Sequence, residues 1–184
     1  FHLEKRSAGW ILENKLRILY FTRDYSPHDE RFLSALAQTA HEVFLLRLEP
    51  QQPVKLPARI TEIKFPEKTN AGNNPVDGRV VELRAILKKV KPDVLHAGPL
   101  HGPAYIAALT GFSPLVSMSW GADILHDGEV SALDKEKIRT TLYNSTILVD
   151  DCQAVTTQAV HGYGYPRTRI YRLPWGVDLQ HFSP

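Results

Sequence analysis

Seven short apolar runs recur along the chain, each separated from the next by polar residues. They are Leu16–Phe21, Glu42–Leu46, Ile60–Phe65, Asp93–His96, Pro114–Met118, Thr146–Val149 and Arg169–Leu173. Several are continuous rather than alternating, as expected of strands covered on both faces. Between them, the apolar spacing predicts helices at about 28–40, 77–91, 101–110, 134–145 and 152–162. Strands alternating with helices imply right-handed crossovers and a parallel sheet. The expected fold class is therefore α/β: a doubly wound, mainly parallel, Rossmann-like sheet with helices on both faces. Residues 67–77, with Asn-Ala-Gly-Asn-Asn-Pro, read as a loop, and residues 123–133 as irregular with room for one short helix.

Composition narrows the class. The 184 residues suit one domain with a sizeable core, and 43% hydrophobic with 23% charged content is ordinary for a globular protein. Residues 1–14 lack the apolar core of a signal peptide and are expected to be an expression remnant or a loosely attached arm, leaving 15–184 as the domain. No run of about 18 apolar residues occurs, so no membrane span is expected. The formal charge of +2 suits an anionic ligand but is too small to argue for nucleic acid. A single cysteine, Cys152, excludes an internal disulfide and a Cys-rich zinc site, and a reducing cytoplasm is the simplest setting.

Ligands of open α/β sheets gather at the carboxyl ends of strands, so the residues after each run are the candidates. After the first run, Ser26, Pro27 and Asp29 form a helix-start signature. His28 and Arg31 follow as candidate substrate contacts, although a capped helix with a solvated histidine explains them equally. The segment has no Gly-x-Gly-x-x-Gly and carries Asp29 and Glu30, which excludes a dinucleotide cofactor there. After the fourth run, His96 ends the strand and His101 precedes a helix. An imidazole can grip a hydroxyl or a phosphate, or simply be satisfied by backbone. Two histidines without a third ligand argue against a metal.

After the fifth run come Trp120, Gly121 and Asp123. Gly permits close approach to a ligand, Trp offers an apolar face on which a ring can stack, and Asp can orient a hydroxyl or cap the next segment. The alternative is a buried Trp and a loop-capping Asp. Asp150, Asp151 and Cys152 open a helix, where acidic residues are favourable without any function. The helix from Val80 to Lys91 has an apolar stripe and several lysines. That pattern fits a solvated face, or peripheral contact with an anionic membrane.

The closing residues, Trp175-Gly-Val-Asp178-Leu-Gln-His-Phe182-Ser-Pro184, resemble the Pro-x-Gly-Val-Asp-x-x-x-Phe-x-Pro segment that ends the N-terminal domain of family-4 glycosyltransferases of the GT-B fold. Leu95-His96 resembles the family's Asp-Val-Val-His-x-His segment. Trp120-Gly-Ala-Asp123 is similar to its His-Gly-Ser-Asp, with Trp120 replacing the usual His and Ala122 the usual Ser. The Gly-Gly pair common after the first strand is absent.

The resemblance implies an enzyme of hexosyltransferase type, with two Rossmann-like domains facing across a cleft. This chain would be the acceptor-side half, and a C-terminal domain lying outside it would bind the nucleotide diphosphate sugar. His96 and Asp123 are then the expected catalytic residues, with His28, Arg31, His101, Trp120 and Gly121 binding substrate. No cofactor or metal is expected. The partners are the nucleotide sugar, a glycan or lipid acceptor and the missing domain, and the setting is cytoplasmic or at the membrane surface. A nucleotide-sugar epimerase of related fold, or a non-catalytic small-ligand-binding α/β module, is the alternative.

Overall fold

The computed structural model describes residues 15–66, 75–126 and 131–174. The N-terminal arm, most of the 67–77 loop and the closing segment Trp175–Pro184 lie outside the described residues. Each of the seven apolar runs forms a strand: β1 (Arg17–Thr22), β2 (Glu42–Arg47), β3 (Ile60–Ile63), β4 (Val94–Ala97), β5 (Leu115–Met118), β6 (Ile147–Asp150) and β7 (Ile170–Arg172). The α-helices among the described residues are α1 (Pro27–Ala37), α2 (Pro75–Val90), α3 (Pro103–Leu109), α4 (Ala122–Leu125), α5 (Ala132–Asn144) and α6 (Gln153–Thr157). The last runs on into a π-helical turn, Gln158–Gly162.

The strands form a seven-stranded sheet in the order β3-β2-β1-β4-β5-β6-β7. β1 with β2, β2 with β3, β5 with β6 and β6 with β7 all pair in parallel. This is the doubly wound Rossmann-like order, with its topological switch point between β1 and β4.

By its internal contacts the chain divides into two compact units, one ending at His96 and one beginning at Ala97. In the first, β1 and β2 pair from Arg17 opposite Glu42 to Thr22 opposite Arg47. Leu19, Tyr20, Phe21, Leu45 and Leu46 are all buried. Their continuous run follows from cover on both faces, and each such side chain contributes about 1.5–3 kcal/mol relative to exposure. The apolar stripe of α2, Val80, Leu83, Leu87 and Val90, is buried, whereas Arg84, Lys88 and Lys89 are exposed. At the carboxyl end of β2, Arg47 binds Asp24 at 2.9 Å and Glu62 at 2.6 Å.

In the second unit, Leu100, Ile124, Ile138, Leu142, Leu148 and Ile170 pack into one core. Asp150, expected at a helix start, is instead the last residue of β6 and is fully buried. Its carboxylate accepts the Thr156 hydroxyl and lies 3.4 Å from Arg172 Nε. Cys152 takes the N-cap position of α6.

Candidate functional site

In the first unit the chemistry gathers at the switch-point strands. Ser26 caps α1: its hydroxyl accepts from the Asp29 amide, and Asp29 Oδ2 accepts from the Ser26 amide at 2.8 Å. The predicted helix start therefore forms as a reciprocal capping box, with Pro27 in the first turn. Asp29 does more than cap. It is 1% exposed, and its Oδ1 accepts from Tyr20 Oη at 3.0 Å. Burial, then the Asp29 charge and hydrogen bond, push the Tyr20 phenol well above its ordinary range, so it stays protonated.

The Tyr20 ring lies 4.9 Å from the His96 imidazole, and Phe32 of α1 lies 6.5 Å from it, both measured between centroids. His96 Nε2 is buried with no hydrogen-bond partner among the described residues. Burial pushes the imidazole down to about 4, because the charged form loses its hydration there. His96 is therefore neutral at pH 7. The same helix leaves His28 and Arg31 exposed in its first turns.

In the second unit, Asp123 is 2% exposed and accepts three hydrogen bonds. The Leu100 amide donates to Oδ2 at 2.7 Å. The Ser119 hydroxyl and Trp120 amide donate to Oδ1 at 2.7 and 3.1 Å. Burial pushes this carboxyl up, against the pull of these donors and of the His101 charge. The turn after β4 and the turn after β5 are thereby tied to one carboxylate. Ser119 Oγ also accepts from the Gly121 amide at 3.1 Å.

Gly121 adopts φ +82°, the left-handed region that glycine enters without strain, and there it begins α4. Gly98 is needed for a different reason. A Cβ on it would meet the Met118 carbonyl oxygen at 2.6 Å and Trp120 Nε1 at 3.0 Å. Trp120 is half-buried with its indole nitrogen turned to this backbone.

The structure thus brings His101, Trp120, Gly121 and Asp123 into the second unit's two turns, and His96 into the first unit's aromatic cluster. Sequence reasoning passed over Tyr20 and Ser119, and read Gly98 only as part of a turn. No local pattern marks them, since their roles come from residues that folding brings near. Among the described residues no three His, Cys, Asp or Glu side chains gather as a metal site.

Several solved structures share this fold. Anabaena HepE in complex with UDP and glucose is 12% identical, with a TM-score of 0.63 over 90% of this chain and 46% of that one. UDP-GlcNAc 2-epimerase of Methanocaldococcus jannaschii, in complex with UDP-GlcNAc and UDP, is 13% identical, with a TM-score of 0.62 over 85% and 46%. The Neisseria meningitidis UDP-GlcNAc 2-epimerase bound to UDP-GlcNAc gives 11% and 0.58 over 85% and 46%. The chain spans less than half the length of each of these proteins. No curated protein matches it. The model of a sequence family described as glycosyl transferase 4-like matches residues 17–151, and the chain belongs to that family.

Proposed function

We propose that this chain is the acceptor-side domain of a glycosyltransferase that moves a hexose from a nucleotide sugar to a glycan or lipid acceptor. Its missing C-terminal half binds the donor. The observation that carries the reading is His96, a neutral imidazole on a switch-point strand whose Nε2 has no hydrogen-bond partner among the described residues. Such a group forms one directional hydrogen bond with an acceptor hydroxyl without bringing charge into the site. A general base works best with a pKa near the working pH, and a group near 4 is a poor proton acceptor at pH 7. His96 therefore positions the acceptor, and Asp123 fixes the two turns that carry His101 and Trp120. No cofactor or metal takes part. Rate enhancement comes from orientation and from charge stabilisation supplied by the donor half. The exposed basic face of α2 serves as peripheral contact with an anionic membrane when the acceptor is lipid-linked, on the cytoplasmic side.

Epimerisation of the nucleotide sugar itself is the second reading, favoured by the fold shared with the two epimerases. The full-length protein, given nucleotide sugars with and without acceptors, separates the two. Transfer that needs an acceptor and falls at least about tenfold in kcat/KM for His96→Ala supports our reading. An epimerised nucleotide sugar formed without any acceptor refutes it. Residues 1–184 alone should turn over no nucleotide sugar, and enzyme-like turnover by them would also refute it.

A further inference from the structure

Tyr25 stands in the 23–26 loop between β1 and α1, at the carboxyl end of a switch-point strand. Its neighbours along the chain are fixed on both sides. The Arg23 carbonyl accepts from the Glu49 amide at 2.8 Å, and Asp24 Oδ1 accepts from Arg47 Nη1 at 2.9 Å. The Ser26 amide is held by Asp29 in the capping box, and the Ser26 carbonyl accepts from the Glu30 amide at 3.0 Å. Tyr25 itself is half-buried, and its Oη is shielded from solvent with no hydrogen-bond partner among the described residues. Tyr20 is the contrasting case, because its hydroxyl is spent on Asp29. Loss of hydration, then the charges of Glu30 and Asp29, push the Tyr25 phenol above its ordinary range, so it stays a neutral donor at pH 7.

A shielded hydroxyl without a partner costs stability, since it gives up its hydrogen bonds to water and gains none. Folding alone does not call for it, because phenylalanine would fill the same space without that cost. An unspent polar atom therefore needs another explanation, and this one lies at the ligand edge of an open α/β sheet on a backbone pinned from both sides. It also lies near the acceptor site proposed above. The Tyr20 ring is 4.9 Å from the His96 imidazole, and the Tyr20 hydroxyl meets Asp29, whose charge also reaches Tyr25. We propose that Tyr25 is a second acceptor-contact residue, whose hydroxyl donates to an oxygen of the acceptor that His96 positions from β4. The inference rests on the glycosyltransferase reading.

The test is Tyr25→Phe in the full-length protein, with UDP-glucose and UDP-GlcNAc as donors and octyl glucoside, galactoside and mannoside as acceptors. The variant keeps the ring and loses only the hydroxyl. It should raise the KM for the acceptor about three- to tenfold, as loss of one neutral hydrogen bond does, and leave the KM for the donor unchanged. Its thermal midpoint should equal or exceed that of the wild type, because an unpaired hydroxyl has been removed. A hydroxyl that serves only the fold gives the reverse, a lower midpoint with both KM values unchanged. A lowered midpoint, or an unchanged KM for the acceptor, overturns the role of Tyr25 and leaves the transfer reading standing. Absence of acceptor-dependent transfer by the wild type overturns both.

Discussion

The Asp123 carboxylate and the Nε2 atom of the half-buried His96 are both shielded from solvent, and their surroundings are opposite. Three donors point at the Asp123 carboxylate, whereas aromatic rings surround the His96 imidazole. The difference gives His96 a signature in stability. A histidine in the unfolded chain titrates near 6.5, and His96 in the folded protein near 4. Between those values the unfolded chain holds a proton that the folded one lacks. Stability from this group is therefore complete above about pH 6.5, is lost as the pH falls toward 4, and levels off below, by on the order of 3 kcal/mol. Denaturant midpoints for the wild type and His96→Gln across pH 4–8 check this. Their difference should be constant above pH 7 and shift in favour of the variant below pH 6; a constant difference throughout would mean that His96 is not shielded. The sequence marked His96 through its place at a strand end. It did not reveal the desolvation, because Tyr20 and Phe32 reach the ring only after β1, β4 and α1 have assembled.

Helix α1 shows how far one element can be read locally. Ser26, Pro27 and Asp29 lie within four residues, so the cap follows from short-range geometry alone. The Tyr20–Asp29 bond does not, since it depends on which face of β1 meets the helix. The two layers have separate energetic consequences. Ser26→Ala removes the cap hydroxyl and should cost about 1 kcal/mol. Asp29→Ala removes the other half of the box and leaves a buried phenol without its acceptor, and should cost about 2–4 kcal/mol. Urea unfolding of both variants measures the ordering. Equal losses would show that the Tyr20 contact contributes nothing beyond capping.

At the scale of the molecule, the seven runs and the helices between them were legible because strand and helix periods differ, and the doubly wound order matches that pattern. The Arg47 network was not. Asp24, Arg47 and Glu62 lie at the ends of different segments and become neighbours only when β1, β2 and β3 align. Asp123 connects distant parts of the sequence in a way that reaches into the time domain. The amides of Leu100 and Trp120, twenty positions apart, are held by two oxygens of one side chain. A single opening event should release both to solvent deuterium, so their exchange rates, corrected for intrinsic chemistry, should agree within about tenfold, and Asp123→Ala should accelerate both together. If Trp120 exchanges freely while Leu100 stays protected, the two turns move separately. If the rates match, any ligand held by one turn also senses the motion of the other, and their shared opening rate sets an upper limit on any ligand exchange that requires these turns to part.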